Sequence, residues 1–543
     1  MVLVQVFLLV LWWVLTARAV PLSLAAAGPI VNLGYELHQA TVNETGGYYN
    51  FSNIRYAKST AGDGRFAPPQ PPSQLQPARR RLNNGQSAAV CPGRRPAWLD
   101  VATLFAAGLN YTQANASASA SVVDPRTSED CLLLDLVVPK AVFDNELSAP
   151  VLVWIHGGGF VSGDKSEQGN GAGLVARSME QGNAGIIYIA VNYRLGLFGW
   201  LAGTAFEEQS GTPNAGLLDQ RLALEWVRNH VHLFGGDSNR ITVMAESAGA
   251  GSTVLHMARQ PALFQQAIVQ SPWLLPPPPK ARQDALYREV LHLANATTLL
   301  QLRRASTTTL QAANNMLVSQ APYGTFVFGP TVDHALVEGS PAPPLAAFQN
   351  DSSPIRLMVG HNSDEGILFT PPQALDEGAF ETLLSRVLPA ASPATLSLLG
   401  TELYPATYAS PLRRYAAAYA EVSVTCAARQ LAARPGGGAH AYVWSVPPGW
   451  HSLDQAYTFY DGAPDASPAA SLATTMQRYF TNFAASGSPD RPLPVPVPFP
   501  AFDAAAPTVL NFSTTTFGVA RDDVDAERCR RWIDLSAELW AEV

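Results

Sequence analysis

Residues 240–252 read Arg-Ile-Thr-Val-Met-Ala-Glu-Ser-Ala-Gly-Ala-Gly-Ser, and this stretch decides the fold. An apolar strand ending at Ala245 runs into a turn around Ser247 that opens a helix. A strand-to-helix turn this sharp strains its central residue and requires small residues two positions before and two after it. Those positions hold Ala245 and Gly249, whereas the usual pattern is Gly-x-Ser-x-Gly. The sequence therefore predicts that Ser247 is a nucleophile, with alanine as the mildest departure from the motif.

Apolar runs typical of buried strands lie on both sides of this turn. Residues 151–155 and 184–191 are almost wholly apolar, and residues 355–360 and 441–446 resemble two further strands. Continuous apolar runs suit parallel strands that are covered on both faces. Residues 216–230 carry leucines and other apolar residues at helical spacing. This alternation predicts the α/β class, with a mostly parallel central sheet wound with helices.

The composition limits the classes of partner. The chain has 543 residues, of which 47% are hydrophobic and 14% charged, with a formal net charge of −8. An acidic surface without a basic run gives a phosphate backbone nothing to bind, so no nucleic-acid partner is expected. No linker separates independent units, and residues 20–543 are predicted to form one domain.

The N-terminal segment resembles a secretory signal peptide. Residues 2–15 are almost continuously apolar, and Ala-Arg-Ala at 17–19 fits a cleavage site. A signal peptide over residues 1–19 predicts a secreted, extracellular protein; a signal anchor is the alternative. Seven Asn-x-Ser/Thr sites are candidate glycosylation acceptors. They are Asn43, Asn50, Asn110, Asn115, Asn295, Asn350 and Asn511.

The four cysteines are also consistent with a secreted, extracellular protein. Cys91, Cys131, Cys426 and Cys529 are even in number and lack the spacing of a metal site. Structural disulfides are therefore expected, although four cysteines allow three pairings. No metal and no cofactor are expected.

A glycine loop supplies a second element of a catalytic site. His-Gly-Gly-Gly-Phe at 156–160 directly follows the strand predicted at 151–155. Glycines at a strand end let backbone N–H groups approach a substrate closely. Together with the N–H of Ala248, they would hold the negative oxygen of a tetrahedral intermediate. The alternative is a plain flexible loop.

Several further segments follow one pattern in one order. They are Glu-Asp-Cys-Leu at 129–132, Asn-Tyr-Arg-Leu-Gly at 192–196, Asn-Ala-Gly-Leu-Leu-Asp-Gln-Arg at 214–221 and Phe-Gly-Gly-Asp at 234–237. With the serine turn and the glycine loop, these segments closely resemble the type-B carboxylesterase/lipase family, which includes cholinesterases and secreted fungal lipases. The resemblance implies the α/β-hydrolase fold, with long loop insertions that form a lid or gorge wall.

The resemblance assigns roles to particular residues. Glu365 matches the acid of a catalytic triad and His451 its base, in the order serine, acid, histidine. Gly158, Gly159 and Ala248 match the oxyanion-hole donors. The implied supporting contacts are the disulfides Cys91–Cys131 and Cys426–Cys529, the buried ion pairs Arg65–Glu129 and Arg194–Asp219, and Ser271 beside the acid, where Pro272 replaces the usual glycine.

Rival residues are weaker candidates for these roles. His361 lies four residues before the acid and is interpreted as its neighbour, and His156 as a support of the glycine loop. His334 is interpreted as a turn residue. Asp364 could serve as the acid on chemical grounds, but the family pattern favours the next residue. The side chain of Glu246 is expected to point away from the serine into a buried pair.

The residue types predict a secreted serine hydrolase that cleaves carboxylic esters through an acyl-enzyme. The apolar loop 91–131, with Trp98, Leu99, Val101, Leu104, Phe105 and Leu109, would suit a lid in transient contact with a lipid interface, or would simply pack on the body. The substrate would thus be a small-molecule or lipid ester. The alternatives are a lipase for long-chain acylglycerols or sterol esters, a hydrolase or acyltransferase acting on a secondary metabolite, and a catalytically silent adhesion or scaffold protein of the same fold.

Overall fold

The computed structural model of the protein describes residues 27–108, 124–259, 262–339, 345, 348, 355–436, 438–462 and 469–541. The predicted signal peptide at 1–19 lies outside these residues, as do Leu109 and the acceptor sites Asn110, Asn115 and Asn350. Among the helices that are described, none combines the length and apolar character needed to cross a bilayer.

The described strands join in one large sheet. They are β1 (Ala27–Asn32), β2 (Leu37–Asn43), β3 (Tyr48–Arg55), β4 (Leu82–Asn83), β5 (Leu133–Pro139), β6 (Ala149–Ile155), β7 (Ile187–Val191), β8 (Gly236–Glu246), β9 (Gln266–Gln270), β10 (Arg356–Asn362), β11 (His440–Trp444), β12 (Thr508–Phe512) and β13 (Gly518–Arg521). Their order is β1-β2-β3-β5-β7-β6-β8-β9-β10-β11-β12-β13, with β4 paired to β2. The central pairs from β7 to β12 are parallel, and the pairs at both ends are antiparallel. The predicted mostly parallel sheet is confirmed.

Helices cover the sheet and fill its connections. They are α1 (Leu99–Ala106), α2 (Lys140–Asp144), α3 (Ala172–Ser178), α4 (Gly196–Trp200), α5 (Thr204–Glu208), α6 (Ala215–His230), α7 (Ser247–Met257), α8 (Lys280–Leu293), α9 (Leu299–Arg304), α10 (Thr307–Ser319), α11 (Phe380–Val387), α12 (Pro393–Leu398), α13 (Pro411–Ala420), α14 (Cys426–Ala432), α15 (Gln455–Thr458), α16 (Ala470–Ser486) and α17 (Ala526–Leu539). The helical spacing at 216–230 correctly predicted α6.

The apolar strands are buried on both faces because side chains alternate across a sheet. In β6, Val151, Val153 and Ile155 belong to one hydrophobic core, while Leu152 and Trp154 belong to a second core on the other face. This two-sided burial explains why the central strands are apolar throughout instead of alternating with polar residues.

Parallel pairing brings the ends of five neighbouring strands to one edge of the sheet. Strands β6, β8, β9, β10 and β11 lie side by side and run in the same direction. The segments that follow them carry the glycine loop, Ser247, Ser271, Glu365 and His451. In open α/β sheets, ligands bind in the crevice outside these carboxyl ends. The topology therefore collects residues from positions 157 to 451 at one place.

Both disulfides pair as the resemblance implied. Cys91 bonds to Cys131 and Cys426 to Cys529, and each pair has a Cα–Cα distance of 5.0 Å. The first closes the loop that precedes β5, and the second attaches α17 to the start of α14.

Two buried ion pairs hold the connections around the sheet. Arg65 donates two hydrogen bonds to the carboxylate of Glu129, at 2.7 and 2.6 Å. Arg194 binds Asp219 through its side chain, at 2.8 and 2.7 Å, and through its backbone N–H. The predicted pairs are thus present. Both side chains of the second pair are almost completely buried. Loss of either charge would therefore leave the other charge buried without a counter-charge.

We expect the Asp219→Asn substitution to lower the free energy of unfolding by about 3–5 kcal/mol, because it leaves the buried Arg194 guanidinium without a counter-charge. Urea unfolding with the disulfides intact measures this change. Glu225→Gln is the matched control, since Glu225 pairs with Arg221 at the surface, where a pair contributes about 0–1 kcal/mol. Equal effects of the two substitutions would contradict the prediction.

Candidate active site

Ser247 lies on a strained turn between β8 and α7. Its φ is 53°, in the left-handed region that residues with a side chain rarely adopt. A Cβ atom at Gly249 would overlap the carbonyl oxygens of Ile155 and His156, so only glycine fits there. The turn therefore presses against the end of β6 and presents the Ser247 side chain at the sheet edge.

A chain of hydrogen bonds connects three residues that the sequence resemblance had selected. The Nε2 atom of His451 lies 2.9 Å from the Oγ atom of Ser247. The Nδ1 atom of His451 lies 2.5 Å from Oε2 of Glu365. The imidazole thus joins the hydroxyl to the carboxylate, although the three residues come from loops after three different strands.

Glu365 is held by further donors on its second oxygen. The hydroxyl of Ser271 and the backbone N–H of Asn362 both donate to Oε1, each at 2.6 Å. Burial alone would raise the pKa of Glu365, but His451 and these hydrogen bonds outweigh burial and lower the pKa. The carboxylate therefore stays ionised at neutral pH. Ser271 lies beside the acid, as expected, and Pro272 does not prevent this contact.

Glu246 corrects an expectation. Its side chain does not point away from the site: Oε1 accepts a hydrogen bond from the Ser452 hydroxyl at 2.5 Å and lies 3.4 Å from Nε2 of His451. A Cβ atom on Gly157 would lie 2.7 Å from Oε2 of this side chain, so the glycine leaves room for it. Glu246 is thus a second carboxylate beside the imidazole.

The two carboxylates set the protonation of His451. Burial by itself lowers the pKa of the imidazole, but the charges of Glu365 and Glu246 outweigh burial and raise the pKa to about 9. Burial raises the pKa of Glu246 to about 8, against the opposing effect of His451. The surroundings therefore favour a positive charge on the imidazole.

The glycine loop lies against the serine turn, since a Cβ atom on Gly157 would lie 3.0 Å from the Cβ atom of Ser247. Gly158 and Gly159 have φ values of 101° and 62°. A Cβ at Gly158 would overlap the carbonyl oxygen of Ser162, and one at Gly159 would overlap the ring of Phe326. Within the described chain, no acceptor pairs with the N–H groups of Gly158, Gly159 or Ala248. Free N–H groups beside a serine hydroxyl are what an oxyanion needs.

The rival residues lie elsewhere. Asp364 forms an ion pair with Arg413 at 2.5 Å, whereas Glu365 is the residue that contacts the imidazole. The Nδ1 atom of His361 lies 2.9 Å from the carbonyl oxygen of the next residue, Asn362. His334 is exposed, with a φ of 52°, which fits a turn residue.

His156 supports the glycine loop. Its ring stacks on Tyr193 with 4.4 Å between ring centroids, and its Nδ1 atom lies 2.9 Å from the carbonyl oxygen of Gly157. Burial lowers the pKa of His156 to about 4, so its ring is neutral at pH 7. Within the described segments, no group of three or more His, Cys, Asp and Glu residues could hold a metal ion.

Comparison with known proteins identifies the family of this chain. The sequence model of the carboxylesterase family matches residues 34–532. The chain is 38% identical to carboxylesterase patB of Aspergillus clavatus, over 97% of this chain and 98% of that protein. This protein belongs to the carboxylesterase family. It is a carboxylic ester hydrolase, so the alternative of a silent scaffold is not supported.

A second relative and a solved structure of similar fold complete the comparison. Secreted lipase 1 of Botryotinia fuckeliana is 30% identical over 65% of this chain and 62% of its own length. The crystal structure of Aspergillus niger EstA superposes with a TM-score of 0.79 at 24% identity, covering 95% of this chain and 99% of that one. This likeness confirms the α/β-hydrolase fold of the carboxylesterase.

Aromatic side chains that sequence reasoning did not assign line the space beside the imidazole. The ring of Phe369 lies 5.2 Å from that of His451, edge to face. Trp98 packs against both Phe326 and Phe369, at 5.6 and 5.8 Å between centroids. No local pattern marks the phenylalanines, because they come from connections far apart in sequence.

The described part of the 91–131 loop packs on the body of the carboxylesterase. Trp98 is buried, and its indole N–H donates to the carbonyl oxygen of Thr325 at 3.0 Å. In α1, Val101 and Ala102 are buried, while Leu104 and Phe105 are half-buried. Residues 98–102 of this loop therefore pack on the body of the protein, which is the second of the two interpretations given for the loop.

We expect the Glu246→Gln substitution to lower the pKa of His451, because it removes one of the two carboxylates that favour the charged imidazole. A pH titration of the imidazole signals by NMR, with histidine-selective labelling, measures the change. Asp364→Asn is the control, since Asp364 is paired with Arg413 and does not contact His451. An unchanged pKa in Glu246→Gln would contradict the account of the two carboxylates.

Proposed function

We propose that this carboxylesterase cleaves esters through a covalent acyl-enzyme on Ser247, with His451 as the general base and Glu365 as the acid that orients it. The observation that carries the proposal is the continuous link from Glu365 to His451 at 2.5 Å and from His451 to Ser247 at 2.9 Å. A serine hydroxyl is a weak nucleophile and needs an adjacent base.

The reaction proceeds in two halves. His451 takes the proton of Ser247 as Oγ bonds to the ester carbonyl carbon, and returns it to the leaving alcohol when the C–O bond breaks. Water then attacks the acyl-enzyme, giving its proton to the same imidazole, and the carboxylic acid leaves as Ser247 recovers its proton. The charged imidazole formed in both halves is stabilised by Glu365 and Glu246.

The N–H groups of Gly158, Gly159 and Ala248 are proposed to bind the oxygen that becomes negative in the tetrahedral intermediate. Loss of one such donor typically raises the barrier by about 3–4 kcal/mol. Support comes from their position beside the Ser247 turn and from the glycine conformations, which leave the donors without other partners in the described chain.

The surroundings favour an ester with apolar groups. Trp98, Phe326 and Phe369 form an aromatic wall next to His451. A lipase is the second candidate function, favoured by the name of the Botryotinia fuckeliana relative. A transient lipid contact through the 91–131 loop belongs to that second candidate.

We also propose that the enzyme is secreted, with residues 20–543 as the mature single domain. The predicted signal peptide at 1–19, the two disulfides and the secreted relative support this proposal. The acceptor sites Asn43 and Asn295 are exposed, and Asn50 is half-buried. Asn511 is buried, and its Nδ2 donates to Thr516, so we propose that this candidate acceptor is not used.

Replacing Ser247 by alanine is expected to reduce the hydrolysis of p-nitrophenyl acetate at least about 10⁴-fold, because Ser247 carries the hydroxyl that contacts Nε2 of His451. Steady-state kinetics measures the loss, and circular dichroism checks that the fold is unchanged. Ser252→Ala, on the same helix but bonded to Gln220, is the control and should retain activity within a few-fold. Activity in Ser247→Ala comparable to wild type would refute the mechanism.

Expression in a glycosylating secretory host is expected to yield a protein that begins at Val20, as determined by N-terminal sequencing. Asn43→Gln should remove one glycan from the intact mass, because Asn43 is exposed. Asn511→Gln should remove none, because that amide is buried and bonded within the fold. Retention in the cell, or a glycan on Asn511, would count against these expectations.

A further inference from the structure

The Ser452 hydroxyl lies beside the candidate triad without belonging to it. Ser452 directly follows His451, and its Oγ donates to Oε1 of Glu246 at 2.5 Å. Its φ is 70°, in the left-handed region that glycine adopts without strain and serine does not. Strained residues cluster at functional sites. The serine side chain at this position is therefore not explained by the course of the backbone.

Glu246 is a buried carboxyl with few partners. Its side chain is 1% exposed and so is removed from bulk solvent. Within the part of the chain that the structure describes, the Ser452 hydroxyl is the only hydrogen-bond donor to its carboxyl oxygens. The other oxygen, Oε2, lies against the glycine loop, where a Cβ on Gly157 would come within 2.7 Å of it. Because an unpaired buried carboxylate is unfavourable, Glu246 without Ser452 would turn to another donor.

The nearest other donor is the imidazole of His451. Its Nε2 atom lies 3.4 Å from Oε1 of Glu246 and 2.9 Å from Oγ of Ser247. A charge-assisted hydrogen bond from an imidazolium to a carboxylate is shorter, at about 2.7–2.9 Å. A movement of about 0.5 Å would therefore pair Nε2 with Glu246 and turn it away from Ser247. In the proposed reaction Nε2 must face Ser247 to take its proton.

The other titratable groups around this pair offer Glu246 no positive partner. Glu365 lies 2.5 Å from Nδ1 of His451, and the buried Asp454 adds negative charge near both His451 and Glu246. The Tyr193 hydroxyl donates to the carbonyl oxygen of His156 at 2.8 Å, and burial together with Glu246 raises its pKa. Among the described groups, His451 is thus the one basic side chain that Glu246 can reach.

We propose that Ser452 is a positioning residue that prevents Glu246 from capturing the imidazole of His451. Its hydroxyl occupies Oε1, so the carboxylate stabilises the charged imidazole from 3.4 Å without taking the Nε2 proton away from Ser247. Glu246 then assists proton transfer and does not block it. This role rests on the proposed function, because it concerns the base of that reaction.

The kinetic test is a cycle of Ser452→Gly and Glu246→Gln, alone and combined. Glycine adopts a φ of 70° without strain, so Ser452→Gly removes the hydroxyl and preserves the backbone. With p-nitrophenyl acetate it should lower kcat at least about tenfold and change KM less than about twofold, because a captured imidazole cannot take the serine proton. In Glu246→Gln protein the same substitution should lower kcat less than about twofold, because a neutral amide does not hold a charged imidazole.

Equal losses in the two backgrounds, or no loss in the wild-type background, would overturn the proposal, since a purely structural hydroxyl acts independently of the charge on Glu246. Ser210→Gly is the matched control. Ser210 also has a left-handed φ, of 65°, but it is exposed and its side chain has no contact with the site. This variant should keep kcat within about twofold of wild type.

An NMR titration of His451 distinguishes failure of this inference from failure of the proposed function. In Ser247→Ala protein, adding Ser452→Gly should raise the pKa of His451, because a direct bond to Glu246 favours the charged imidazole. Adding Glu246→Gln as well should abolish the rise. An unchanged pKa in the first comparison would overturn the positioning role. If Ser247→Ala protein still hydrolysed p-nitrophenyl acetate while the pKa rose as expected, the serine mechanism would fail and the control of Glu246 by Ser452 would stand.

Discussion

The close contact between the end of β6 and the turn after β8 is the constraint on which the site depends. Ser247 adopts a left-handed conformation, and Gly249 fits against the carbonyl oxygens of Ile155 and His156 only because it has no side chain. Parallel pairing of β6 with β8 fixes this contact, since the two strands end at the same edge. The hydroxyl and the glycine loop are thus brought together by the backbone of the sheet, before any side-chain interaction is considered.

Once the backbone is fixed, the buried charges around His451 determine the chemistry. Glu365 and Glu246 contact the imidazole, and a third carboxylate, Asp454, is fully buried behind Asn362, where burial raises its pKa. The Asp454 carboxyl is bonded to the Tyr442 hydroxyl and to the Gln270 amide. The two carboxylates that contact the imidazole stabilise its protonated form, which is the state that the proposed proton transfer from Ser247 would produce.

The sequence alone predicted those features that follow from a short pattern with a single structural outcome. The apolar runs predicted the central strands, the small-x-Ser-x-Gly turn predicted Ser247, and the family motifs selected Glu365, His451 and the disulfide pairs. It failed where the outcome depends on long-range packing. The direction of the Glu246 side chain depends on the space left by Gly157, which belongs to a segment far away in sequence. The phenylalanines beside His451 escaped prediction because they come from connections far apart in sequence, without a shared motif.

The proposed catalytic groups and the aromatic residues beside them come from different parts of the chain. The two sets of residues meet at one contact. The proposed catalytic groups follow the strand ends, whereas the aromatic wall comes from connections that can vary without disturbing the sheet. Gly159 belongs to the first set and Phe326 to the second, and the ring packs where a side chain on Gly159 would stand. A bulkier residue at position 159 would displace the ring of Phe326, and it would also shift the backbone N–H of residue 159. The glycine loop and the ring of Phe326 are therefore in direct contact, so substitutions at Phe326 also act on the position of the proposed oxyanion donors.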